Sequence, residues 1–342
     1  MSPQASPVQK PSTLAASSAR FPWVAEELDA VKASLLEILT PEAMVLATRI
    51  NATLKNTGKL FRPALLMLTS KACNHGSTTH DDIETAAVAE LIHTATLIHD
   101  DVLDDADLRR GQATLKHLEG NRIAILAGDF LLAQASLKLS KLNNCRLVSI
   151  YAKVLADLCD GELLQLEQNK DLSTSWESYL RKTACKTATL FEACCESAGV
   201  IHQQSPEMIA QLKHYGQCLG IAFQLADDLL DFTASEKELG KPALEDLRQG
   251  ILTAPVLLAL RQTPQNSPEL ATLTQQVQAV FEDEQAIEPL LLQLKTQGWL
   301  DKTQAMAMQY VEDAIKAIRH LPASEYRDAL EGLARDAVQR TK

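Results

Sequence analysis

Two acidic signatures of identical spacing, Asp-Asp-x-x-Asp, stand out in this chain: Asp100, Asp101 and Asp104 in LIHDDVLD, and Asp227, Asp228 and Asp231 in QLADDLLD. On a helix this spacing sets the first and last carboxylates one turn apart on one face, with the middle one about 100° round. A lone acidic run is usually a solvated helix face. Here each set is embedded in apolar residues, Leu97, Ile98, Val102 and Leu103 around the first and Leu225, Leu229, Leu230 and Phe232 around the second. Carboxylates drawn together from two helices repel unless cations lie between them. Oxygen-only donors select Mg²⁺, with Mn²⁺ as the alternative, over zinc. Mg²⁺ also keeps positions open for phosphate oxygens, so the chemistry expected is the binding and activation of a diphosphate.

Such a site needs basic groups nearby to complete the neutralisation, and the sequence supplies them. Arg109 and Arg110 follow the first motif in LRRGQ, where Gly111 marks a turn that would hold the pair close to the acids. Lys241, between Gly240 and Pro242, follows the second motif; Lys59 and Arg62 occur in GKLFRP and Lys186 in CKTAT. His93 lies two turns before Asp100 on the same face, and Gln224 lies one turn before Asp227.

The elements that must carry these groups are helices. Gly and Pro are scarce at 13 each among 342 residues, aromatics are 4%, and apolar residues recur at three- and four-residue spacing from Ala25 onward without period-two alternation. Loops are expected at NTGK, NHGSTTHDD, RRGQAT, NNC, NKDLSTS, HQQSPE, SEKELGKP and QTPQNSPE. None is long enough for an interdomain linker, so residues 25–342 read as a single all-α domain of ten or more helices. Residues 1–24, rich in Ser, Ala and Pro at their start, read as a disordered tail, with an organelle-targeting segment as the alternative. The net charge of −11 argues against a nucleic-acid partner, and no run of 18 apolar residues predicts a membrane span. Seven cysteines without C-x-x-C spacing read as reduced core residues in a cytoplasmic setting.

The stretches AELIHTATLIHDDVLDDADLRRG, AILAGDFLLAQAS, GELLQL, KTATLFEACCESAG, GIAFQLADDLLDFTASEKELGKP and EDLRQGILTAPVLLAL resemble, in order, the signatures of the trans-isoprenyl diphosphate synthases. The likeness is greatest to the long-chain, solanesyl-type polyprenyl branch. It implies an isoprenoid synthase-like bundle around a deep central cavity, a homodimer, and roughly three Mg²⁺ ions per site. It implies too that isopentenyl diphosphate is condensed with an allylic diphosphate. Asp100, Asp104 and Asp227 would hold the metal directly, and Asp101, Asp228 and Asp231 directly or through water. Arg109, Lys186 and Lys241 would stabilise the departing diphosphate, while Lys59, Arg62, His93 and Arg110 would hold isopentenyl diphosphate. Thr187 and Gln224 match positions whose oxygen dipoles face the allylic cation. Two departures are Thr57 before Gly58-Lys59, where a second Gly is usual, and Leu244, where a Gly is common.

The same likeness bears on product length. An isoprene unit extends about 4 to 5 Å, close to the pitch of a helix, so each turn below Asp100 on this face controls roughly one unit. Ala95 and Thr96 lie one turn below, then Ile92 and Ala89; short-chain relatives carry an aromatic residue at the first level and this chain has none. A product of about C30 or longer is expected, with about C40 to C45 favoured by the resemblance. Tyr151, on a later helix, is a candidate floor. The alternatives are a geranylgeranyl-type medium-chain synthase, a class I terpene cyclase and a non-catalytic partner subunit.

Overall fold

The computed structural model describes residues 21–38, 50, 60–109, 111–233 and 244–339. The NTGK turn with Lys59, Arg110, the SEKELGKP loop with Lys241, and the sequence through Arg20 lie outside the described residues. The all-α expectation holds: the described chain contains well over ten helices and a single two-residue ladder. Its contacts gather into two compact units, one within Met1–Lys71 and Ser77–Asn143, the other comprising Ala72–Gly76 and Asn144–Lys342.

The first unit contains α1 (Ala25–Leu36), α2 (Phe61–Cys73, which ends in the second unit), α3 (His80–Leu103), a hairpin of β1 (Leu108–Arg109) and β2 (Gln112–Ala113), α4 (Leu115–Glu119) and α5 (Asn121–Lys141). A capping box starts α3: the Thr79 hydroxyl accepts from the Asp82 amide, and the Asp82 carboxylate accepts from the Thr79 amide at 2.7 Å. Asp82 is buried and takes the Ser70 hydroxyl of α2 at 2.6 Å, which locks the two helices together. α5 lies close against α3 because Gly128 has no side chain; a Cβ there would sit 2.1 Å from Nε2 of His99. Farther along the pair, buried Lys138 donates to Glu84 and to Ser34 of α1, both at 2.8 Å. By length and mean hydropathy (1.4) α5 qualifies as a membrane span, although 39% of that stretch is buried within the fold. Phe21 and Val24, read as part of the tail, are instead core residues, with Phe21 edge-on to Phe61.

The second unit contains α6 (Cys145–Glu167), α7 (Trp176–Thr183), a π-helical turn (Ala184–Ala188), α8 (Thr189–Ile201), α9 (Pro206–Thr233), α10 (Glu245–Arg248), α11 (Ala254–Gln262), α12 (Pro268–Val280), α13 (Ile287–Thr296), α14 (Trp299–Ala317) and α15 (Glu325–Val338). α9 is its spine. Gly216 and Gly220, one turn apart, bring α9 against the backbone of Phe191 and Ala188, where an added Cβ would fall 2.6 and 2.5 Å from backbone atoms. The Tyr215 hydroxyl donates to the Leu330 carbonyl at 2.8 Å and fastens α15 to the spine. Cys194, Cys195 and Cys218 are core residues as expected, but Cys145 and Cys159 are exposed, so the reading of all seven as core was too broad.

A groove between α6, α8 and α9, about 230 Å³ in volume, is lined by Asp157, Glu192 and Glu196 with Lys153 and Lys213. Burial pushes the Glu192 carboxyl up to about 7, although Lys213 and Lys153 oppose the shift. The folded state therefore holds this proton more tightly than the unfolded chain, whose ordinary value is 4.5. Unfolding releases a proton between these values, so this group's contribution to stability declines as pH rises from about 4.5 to 7, by on the order of 3 kcal/mol. Urea titrations of wild type and Glu192→Gln should diverge over that interval, with the variant the more stable at pH 8; parallel curves would refute the assignment.

Candidate active site

The first acidic motif closes α3. Asp104 sits at the helix C-cap, its amide bonded to the Asp100 carbonyl at 2.8 Å, which keeps the first and last acids one turn apart as the spacing predicts. Asp100 is half-buried and Asp104 exposed, whereas Asp101 is buried. The hairpin explains the difference. Gly111, at a φ of 74°, turns the chain back, and Arg109 on β1 donates from Nε to Oδ1 of Asp101 at 2.8 Å. Burial raises the Asp101 pKa, and Arg109 offsets part of that rise. The loop between helix and hairpin is tied by Lys116, which donates to the Asp105 carbonyl at 2.8 Å and to Asp107 at 3.2 Å. On α3, His93, Thr96 and Leu97 are half-buried along the face that ends at Asp100, while Ala95, Ile92 and Ala89 are fully buried. Arg62, on α2, is half-buried.

In the second unit, Asp227 is exposed while Asp228 and Asp231 are buried. Asp228 accepts three hydrogen bonds: from Gln224 Nε2 at 2.9 Å, from the Tyr179 hydroxyl at 2.7 Å and from the Ala254 amide at 2.8 Å. Burial pushes its carboxyl up to about 6 against those donors. Gln224 in turn accepts from Thr187 at 2.7 Å, so two residues singled out from the sequence meet directly. Thr187 and Lys186 lie on the π-helical turn, whose widened backbone is held between two glycines. A Cβ on Gly161 would stand 2.8 Å from the Lys186 amide, and one on Gly220 would strike Ala188. Lys186 points to α6, donating to Glu162 at 2.5 Å and to Gln165 at 3.2 Å. π-turns are costly and recur at functional sites.

A polyprenyl synthetase family model matches residues 44–291. The chain belongs to that family. It is 37% identical over 317 residues to solanesyl diphosphate synthase 1 of Arabidopsis thaliana, covering 92% of this chain and 76% of the relative. It is 35% identical over 319 residues to octaprenyl diphosphate synthase of Escherichia coli, covering 93% and 97%. Among solved structures, a decaprenyl diphosphate synthase of Rhodobacter capsulatus superposes with a TM-score of 0.86 at 32% identity, covering 96% of this chain and 99% of that one. A polyprenyl synthase of Caulobacter crescentus, solved with calcium and isoprenyl diphosphate, gives 0.85 at 30% identity, covering 98% and 100%. As a polyprenyl synthetase the chain is a transferase, specifically a prenyltransferase, and these identities favour long-chain products over the geranylgeranyl type.

The polyprenyl synthetase motifs therefore contain two kinds of acid. Within either motif, the described residues gather no three carboxylate, histidine or cysteine side chains able to hold a metal by themselves. The first acid of each motif is accessible, half-buried at Asp100 and exposed at Asp227, and its carboxylate oxygens suit a hard divalent cation whose remaining positions are filled by water and phosphate. The middle acid is turned inward and bonded to protein. Sequence reasoning set Asp100, Asp104 and Asp227 apart as direct ligands, but it kept the inward Asp101 and Asp228 in the metal set and missed Tyr179, Glu162 and Gln165. GELLQL marked the last two, but nothing in the sequence pairs them with Lys186.

Proposed function

We propose that this polyprenyl synthetase condenses isopentenyl diphosphate with an allylic diphosphate to give an all-trans product of about C30 or longer, with about C40 to C45 favoured. The observation that carries the reading is the division within each motif: an accessible first aspartate beside a buried, protein-bonded middle one. Asp100, Asp104 and Asp227, with Asp231 through water, would hold divalent cations, Mg²⁺ or Mn²⁺. When bound, these supply positive charge against the leaving diphosphate.

The chain's own residues supply the rest. Arg109, Lys186 and Lys241 receive the diphosphate as the bond from C1 to oxygen breaks, and its electron pair leaves with oxygen. Lys186 stands on a turn that Gly161 and Gly220 clasp, so only its side chain, bonded to Glu162 and Gln165 in this structure, would have to swing to meet the diphosphate. The Thr187 hydroxyl donates to Gln224, which leaves the lone pairs of the hydroxyl oxygen free to face the positive charge left on the allyl group. Lys59, Arg62, His93 and Arg110 hold isopentenyl diphosphate so that its double bond attacks C1. A new carbon–carbon bond forms, and the resulting cation loses a proton to the released diphosphate. The enzyme would act in the cytoplasm or an organelle as a homodimer, a second copy covering the exposed Leu118, Ile125, Leu126 and Leu137 of α4 and α5.

The direct test is incubation with labelled isopentenyl diphosphate and C10, C15 or C20 primers, with and without a chelator, followed by sizing of the dephosphorylated products. Chelator-sensitive label in chains of about C30 or longer is expected. Cyclic hydrocarbons, or no incorporation, would sink the reading.

A further inference from the structure

We propose that Tyr179 is a positioning residue for the second acidic motif, acting through Asp228 and together with the backbone amide of Ala254. The inference rests on the functional reading above for the role of Asp227, but its geometry is independent of that reading.

Asp228 is 3% exposed, and each of its carboxylate oxygens is engaged. Oδ1 accepts from Gln224 one turn back on α9; Oδ2 accepts both the Tyr179 hydroxyl of α7 and the Ala254 amide at the start of α11. A carboxylate is tolerated at this depth only because donors surround it. The three donors come from three elements, so the side chain works as a junction between them.

The α11 end of the junction has its own logic. The first turn of a helix leaves amide hydrogens without intrahelical partners, and its positive dipole end favours an anion. Thr253 occupies the N-cap, yet its side chain makes no capping bond, and Asp228 caps the helix from outside instead. The α7 end is equally constrained. Tyr179 is 1% exposed, stacked on Trp176 at 4.9 Å between ring centroids, with the Lys182 ammonium 5.4 Å from its ring centroid. Its hydroxyl therefore cannot wander, and it fixes where Asp228 points.

Fixing Asp228 fixes its neighbour. Successive residues on a helix differ by about 100° in direction, so an anchored, inward Asp228 sets the rotation of α9 and keeps Asp227 turned outward. The same anchor holds Gln224, and through it Thr187. Metal ligands depend on such supporting bonds, whose removal typically costs about 10- to 100-fold in metal affinity or activity.

Two variants test this. Tyr179→Phe deletes only the hydroxyl. Ala254→Pro removes the amide hydrogen, and the ring Cδ that takes its place displaces Asp228 Oδ2 from its 2.8 Å contact, at a helix position that suits proline; Thr253 already has the extended backbone (φ −93°, ψ 169°) that a following proline demands. In both variants, Mn²⁺ binding to the protein with inorganic pyrophosphate, followed by electron paramagnetic resonance, should weaken by about 10-fold or more. The half-saturating Mg²⁺ for turnover should rise by a similar factor, while KM for isopentenyl diphosphate stays within about twofold. Asp228→Asn, which keeps the shape and an acceptor oxygen, should retain far more activity than Asp227→Asn. Wild-type Mn²⁺ binding in both Tyr179→Phe and Ala254→Pro, or in whichever of them folds, overturns the proposal. A wild-type protein that transfers no prenyl group overturns the functional reading alone, since the Mn²⁺ titration still reports on the clamp.

Discussion

Replacing Asp227 with alanine is expected to lower kcat by about 10²- to 10³-fold and to leave the melting temperature within a few degrees of wild type. The acid is exposed on α9, and alanine is the better helix former, so little packing is lost. On the function proposed above, what disappears is a ligand that would hold positive charge where the diphosphate leaves, and charge stabilisation of this kind usually contributes the largest share of barrier lowering. The neighbouring position should behave in the opposite way. Asp228→Ala strands three donors, the buried Tyr179 hydroxyl and Ala254 amide and the half-buried Gln224 amide. Each unsatisfied group costs about 1 to 3 kcal/mol, so this variant should melt many degrees lower. Steady-state kinetics and thermal melting of the two proteins, measured together, check both statements. Equal melting losses, or an active Asp227→Ala protein, would remove the distinction between the outward and the inward acid.

That distinction marks the limit of what spacing can reveal. Asp-Asp-x-x-Asp specifies that the middle acid points about 100° away from the first, and the structure obeys this. It does not specify what waits in that direction. For Asp101 the partner, Arg109, lies eight residues on, just before the turn that Gly111 announces, so the pairing was within reach of the sequence. For Asp228 the partner is Tyr179, 49 residues upstream, and only tertiary packing joins them. Helices were legible because their apolar period extends over many turns. The loops at NNC, NKDLSTS, HQQSPE and QTPQNSPE fall between the helices as Gly, Pro, Asn and Ser predicted. The hairpin at RRGQAT was not legible, since strands of two residues have no alternation to detect. Nor was the π-turn at Ala184–Ala188, where one extra residue per turn barely shifts the hydrophobic phase yet decides that Lys186 faces α6 and Thr187 faces α9.

Placing an aromatic ring one turn below Asp100 is expected to cut the product to about C20 or shorter. Ala95 lies five residues before Asp100, about 7.5 Å along the helix, and a growing chain that adds about 4 to 5 Å per unit meets that level within its first few units. The two candidate positions differ in a way that sharpens the experiment. Ala95 is fully buried, so Ala95→Phe must push its ring into packed surroundings, at a typical cost of about 1 to 3 kcal/mol. Thr96 is half-buried, and its hydroxyl is turned back to the His93 carbonyl at 2.8 Å, so a ring there can enter open space at a smaller stability cost. Both variants should shorten the product; only Ala95→Phe should also lower the melting temperature. Chromatographic sizing of dephosphorylated products, with melting curves on the same preparations, separates the outcomes. Shortening by Thr96→Phe alone would place the elongating chain on the His93, Thr96, Asp100 face. Unchanged length in both would mean that this side of α3 serves only to pack the helix, and the determinant of length would have to be sought elsewhere, with buried Tyr151 of α6 the first residue to change.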